Sequence, residues 1–151
     1  MSKRSVDGEN VRSVYVVDAS VVVKWFVEEE YSREARLLRN AYVDGLLDIS
    51  VPSLLYYEVL NALKYSGGFG EDELKEVAKT LVDFQFTEYS LTGQYALRTI
   101  EYAMRKGITI YDAAYVALAE TLNTTLYTAD EKLIKKIGRP ELVKHISLFK
   151  I

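Results

Sequence analysis

The segment Val14-Tyr15-Val16-Val17-Asp18 constrains this chain more than any other. Four residues of high β-propensity in a row read as a buried strand, because branched and aromatic side chains fit a pleated, packed surface. A carboxylate then stands at the edge of that dry strand. After Ser20 the chain turns apolar again through Val21, Val22 and Val23. A charge beside a core is costly unless it finds a partner or a metal, so Asp18 needs an explanation that a loop aspartate would not.

Ser20 is placed to cap a helix starting at about Val21. Residues 32–43 read as a helix with Ser32 as its cap, and Gly45 stops it. Residues 46–52 hold a short strand that Pro52 closes, and Ser53 caps the apolar helix 54–65. The sequence SGGFG (66–70) is a break. Residues 71–84 carry Leu74, Val77, Ala78, Leu81 and Val82 at helical spacing, and 84–90 alternates as a strand does. Thr92 opens a helix to about Arg105 that Gly107 ends. A second apolar helix covers 111–122, a strand 125–130, a short helix 131–136 and a last strand 145–149, begun by His145. Strands separated by helices predict an α/β domain with a mostly parallel sheet. The domain spans 14–151, behind a polar tail at 1–13.

Composition narrows the chemistry. The chain of 151 residues has no cysteine and a single histidine. That removes disulfides, thiol nucleophiles and zinc-thiolate sites, and leaves a catalytic triad nothing but His145. His145 is read as structural. The net charge of −3 lacks the basic footprint of a static nucleic-acid binder. No apolar run approaches the roughly 18–20 residues of a membrane span, and the N-terminus has no signal-peptide apolar region.

Most of the 22 acidic residues sit in charged runs that suit a solvated face. Four have apolar neighbours instead. Asp18 ends the first strand, and since Ser20 can cap the helix, a capping role explains Asp18 only in part. Glu58 lies inside LLYYEVLNALKY, with Asn61 one turn beyond it. Asp112 begins YDAAYVALAE, where an acid in the first helical turn also suits the dipole. Asp130 closes TLYTAD, where Thr128 and Glu131 already have capping-box spacing. In open parallel sheets, functional groups gather beyond the carboxyl ends of the strands. An all-oxygen cluster suits a hard cation such as Mg²⁺ or Mn²⁺, and without one the carboxylates would repel each other.

These motifs, in this order and spacing, resemble the PIN-domain ribonucleases, and most of all the VapC-type toxins of toxin–antitoxin pairs. The resemblance runs from about Val14 to the C-terminus. It implies a three-layer α/β/α fold with a parallel sheet of about five strands. It also implies Mg²⁺- or Mn²⁺-dependent cleavage of RNA in the cytoplasm, a homodimer and a small antitoxin partner that occupies the acidic site. Asp18, Glu58, Asp112 and Asp130 would surround the metal, with Ser20, Asn61 and Thr128 as polar support. Lys24 is expected at the surface. Arg33, Arg36 and Arg39 are expected to form a solvated stripe.

Two other readings compete. A Mg²⁺-dependent phosphohydrolase also places an Asp after a strand, but typically with a second Asp two residues on, where this chain has Ser20. A non-catalytic interaction module could keep an acidic pocket. Absence of RNA cleavage by the purified protein would favour it.

Overall fold

The computed structural model describes residues 12–151 and the backbone of residues 2–3; the rest of the polar tail lies outside the described residues. Five strands form the parallel sheet: β2 (Arg12–Val17), β3 (Leu47–Pro52), β4 (Thr87–Tyr89), β5 (Thr125–Thr128) and β6 (Val143–His145). They lie in the order β4-β3-β2-β5-β6. A two-residue strand β1 (Ser2–Lys3) pairs antiparallel with the start of β2, so pairing begins inside the segment read as tail.

All four residues of β5 are buried, and so are five of the six in β3. Strands buried this continuously have layers on both faces. Among the described residues seven helices supply them: α1 (Ala19–Val22), α2 (Ser32–Val43), α3 (Leu54–Tyr65), α4 (Glu71–Asp83), α5 (Gly93–Lys106), α6 (Ile110–Thr121) and α7 (Glu131–Ile137). α6 packs against β2, β3 and β5. Its residues Ala113 to Ala119 are all buried, as expected of a helix that is apolar all round. Its alanines let the helix lie close to the sheet, and α5 covers its outer side.

The chain leaves β2 toward β3 and β4, then returns to place β5 on the other flank of β2. This reversal opens a crevice at the carboxyl ends of β2 and β5. Asp18 follows β2 directly, and Asp130 lies two residues past β5.

Several local expectations are corrected. α1 begins at Ala19 and its cap is Asp18, whose side chain accepts from the Ser20 amide; Ser20 is not the cap. α2 is preceded by Tyr31 in the left-handed region, while Ser32 is buried and bonds Val27 O and Glu29 N instead. Ser53 precedes α3 without a side-chain capping bond. Gln85 has φ 56, a left-handed residue that ends α4 and interrupts the expected strand, so β4 is confined to Thr87–Tyr89. The last strand ends rather than begins at His145, and a 3₁₀ turn, Ile146–Leu148, follows. Lys24 is buried and paired with Glu29 at 2.9 Å rather than exposed. The three arginines of α2 engage Glu34, Glu28 and Asn40 individually.

Candidate active site

Four separate segments deliver the acids to one cavity. Asp18 comes from the end of β2, Glu58 from the middle of α3, Asp112 from the first turn of α6 and Asp130 from the start of α7. Together with Ser20, Asn61 and Tyr115 they line a cavity of about 310 Å³. Thr128 does not line it but supports it from behind.

Asp18 is held most firmly. Its Oδ1 accepts from the Ser20 amide at 3.1 Å and from the Ser20 hydroxyl at 2.6 Å, and its Oδ2 accepts from the Thr128 hydroxyl at 2.5 Å. Each hydroxyl is oriented in turn by the backbone after β5. Ala129 N–H donates to Ser20 Oγ at 2.9 Å, and Asp130 N–H donates to Thr128 Oγ1 at 3.0 Å. Two relays therefore tie the end of β2 to the end of β5 through one carboxylate. Parallel pairing of Val17 with Tyr127 brings Asp18 and Thr128 opposite each other.

The other acids are anchored more lightly. Glu58 Oε1 accepts from the Tyr115 hydroxyl at 2.7 Å. Asp130 Oδ1 accepts from Leu133 N–H at 3.1 Å, which makes Asp130 the cap of α7; the expected Thr128 cap is corrected. Thr109 caps α6 by accepting from the Asp112 amide, so Asp112 is not the cap either. Its carboxylate stands half-buried beside the cavity. Asn61 is exposed one turn from Glu58.

The electrostatics show what this convergence costs. Burial pushes Asp18 up to about 6, against the opposing bonds from Ser20 and Thr128, and the charge of Asp112 pushes the same way. Burial also raises Glu58, with the Tyr115 bond opposing and Asp112 adding. Asp112 is raised by burial and then by Asp130. Tyr115 is driven well above the ordinary tyrosine range by burial and by Glu58, so its hydroxyl stays protonated and donates. Tyr115 was not singled out from the sequence. The available signal was its place one turn past Asp112, which is also the spacing of an ordinary core residue.

The donor set suits a hard divalent cation: oxygen ligands only, around a single cavity, repelling one another. Among the described residues no three of them stand close enough together to hold an ion as they are. Asp18, Glu58 and Asp130 each lean toward their own protein donors. Glu58 Oε2 and Asp130 Oδ2 accept no protein hydrogen bond among the described residues.

Comparison with known proteins points in one direction. The family model of the PIN domain matches residues 15–140. Ribonuclease VapC3 of Pyrobaculum aerophilum is 37% identical over 138 residues, covering 85% of this chain and 96% of that protein. Ribonuclease VapC1 of Mycobacterium tuberculosis is 35% identical over 136 residues, covering 85% and 95%. A toxin–antitoxin complex from Klebsiella pneumoniae superposes with a TM-score of 0.66 at 17% identity, over 91% of this chain and 99% of that one.

Proposed function

This chain belongs to the PIN-domain family, and on that premise we propose that it is a divalent-metal-dependent endoribonuclease, the toxin of a toxin–antitoxin pair. The observation that carries this reading is the convergence of Asp18, Glu58, Asp112 and Asp130 on one cavity at the reversal of strand order. The ribonuclease names of the relatives support the reaction. The toxin–antitoxin complex among its structural neighbours supports an antitoxin partner, and the reading places a small one over the cavity.

Asp18, Glu58, Asp112 and Asp130 would hold the ion. Bound there, a Mg²⁺ or Mn²⁺ ion supplies a water of lowered pKa and positive charge for the phosphate. Ser20 and Thr128 fix the direction of the Asp18 carboxylate, and Tyr115 fixes that of Glu58. Glu58 and Asp112 stand half-buried at the cavity, each raised by burial, and one of them would serve in place of a ligand role as the base toward the attacking water. In-line attack forms the new P–O bond as the bond to the 3′ oxygen breaks, and that oxygen takes a proton from solvent, leaving a 5′-phosphate and a 3′-hydroxyl. The net charge of −3 fits an enzyme that cuts and releases rather than one that grips.

Purified protein with Mn²⁺, incubated with a broad panel of RNAs, is expected to cleave, and EDTA or Asp18→Asn is expected to stop it. Absence of metal-dependent cleavage across the panel would contradict the reading. Trapping phosphate on Asp18 would favour the phosphohydrolase. Tyr115→Phe keeps the ring and removes one hydrogen bond; single-turnover cleavage should fall about tenfold with the far-UV spectrum unchanged.

α5 exposes Leu97, Ile100 and Met104 on one stripe, at 54%, 49% and 78%. A contiguous apolar stripe suits a protein contact, and the reading assigns it to a second copy of the chain. Light scattering should give a dimer that Met104→Glu converts to a monomer. Among the described residues no helix is long and apolar enough to cross a membrane, and the proposal places the protein with its RNA in the cytoplasm.

A further inference from the structure

Most of the 12 tyrosines are held by a hydrogen bond or a ring contact, as Tyr115 is by Glu58 and Tyr31 by His145. Two differ. Tyr57 is 76% exposed and Tyr111 is 59% exposed. Among the described residues neither side chain makes a hydrogen bond, ion pair or ring contact. Each immediately precedes an acid of the site, Glu58 and Asp112. Both rings line a second cavity of about 550 Å³, whose other walls are Leu54, Glu58 and Asn61. Glu58 and Asn61 also line the acidic cavity, so the two spaces share a wall.

Large rings left in water cost free energy, and the same two helices bury other apolar residues, Leu55, Val59 and Leu63 on α3 and Ala113 to Ala119 on α6. From this arrangement we infer that Tyr57 and Tyr111 are a base-stacking platform, holding unpaired nucleobases of single-stranded RNA beside the phosphate presented to the acids. The inference rests on the ribonuclease reading and names the form of RNA it takes. A base offers a flat π face to a tyrosine ring and a hydrogen-bonding edge to an amide such as Asn61. The walls are two aromatic faces, a carboxylate, an amide and one leucine. That mixture matches a nucleotide better than the aliphatic anchors of a protein helix. The volume lies within the range of small-ligand sites. Stacking demands unstacked bases, so a duplex does not fit the platform.

The test uses Asp18→Asn protein, which holds RNA without cutting it, and short single-stranded RNAs carrying one 2-aminopurine at successive positions. Fluorescence is expected to be quenched at one or two adjacent positions. Adding Tyr57→Ala or Tyr111→Ala should remove quenching and weaken binding about tenfold, while Tyr→Phe at either position should preserve both. The same strand in a duplex should show no quenching. Both residues are exposed and make no hydrogen bond, so folding is not at stake. Unchanged affinity and quenching in both alanine variants overturns the platform; if wild-type protein still cleaves RNA, the ribonuclease reading survives and the groove falls to a protein partner. Quenching by a protein that never cleaves sustains the platform and overturns the proposed chemistry. No RNA binding at all overturns both.

Discussion

Asp18→Asn is expected to reduce RNA cleavage about a thousandfold while making the metal-free protein more stable at neutral pH. The two effects share one cause. Asp18 is 7% exposed, and its carboxyl is pushed from 3.8 to about 6, chiefly by burial. Well below 3.8 it is largely protonated in folded and unfolded chains alike and costs little. Between 3.8 and about 6 the unfolded chain ionises first, so stability falls as pH rises. Above about 6 the full cost, on the order of 3 kcal/mol, is present. Glu58 and Asp112 are raised as well and steepen the same fall. Asparagine keeps the shape and removes the charge. In EDTA, urea unfolding of the wild type should therefore show stability dropping from pH 4 to pH 7, with a much flatter profile for Asp18→Asn. A variant less stable than wild type at pH 7 in EDTA would show that Asp18 is structural and its ionisation well satisfied.

Thr128→Val should act in the opposite sense on stability. Thr128 is fully buried, donates to Asp18 Oδ2 and accepts from the Asp130 amide. Valine fills the space but leaves the carboxylate oxygen without its donor and the amide without its acceptor. Stranding such groups costs about 2 kcal/mol and drives the Asp18 pKa further up. Cleavage should fall between about tenfold and a hundredfold, the usual loss when a group orienting a ligand is removed. Thr128→Ser retains the hydroxyl and should recover most of both losses. If valine is tolerated at full activity, the relay from β5 does not orient Asp18.

The fold was readable because its strands are short, dry and separated by helices. That pattern has few solutions, and the sheet order then puts strand-end acids into one crevice. The acids stood out for a related reason: Asp18, Glu58, Asp112 and Asp130 each break an apolar stretch, and a charge there needs company. Legibility stopped at contacts between distant segments. Ser20 and Thr128 have the spacing of local caps, but the structure turns both hydroxyls onto Asp18, that of Thr128 across 110 residues of chain. Asp18 and Asp130 do the capping instead. Spacing within one segment carries no information about a partner on another strand. Lys24 is a local case: Glu29, five residues on, meets it only because the 3₁₀ turn Val23–Trp25 bends the chain back, and side-chain spacing does not show that bend. Tyr115 was invisible because a buried tyrosine on an apolar helix has the signature of core, and only its bond to Glu58 separates the two roles.

The central claim is that the fold gathers carboxylates at its own cost because a divalent cation relieves that cost. Calorimetric titration of the protein with Mn²⁺ near pH 6, repeated in buffers of different ionisation enthalpy, tests it most directly. Asp18 is then partly protonated, so binding must expel protons. The account predicts saturable binding with net proton release in the wild type, and loss of both in Asp18→Asn. Saturable binding that is identical in Asp18→Asn, or no binding by a folded wild type, would contradict it.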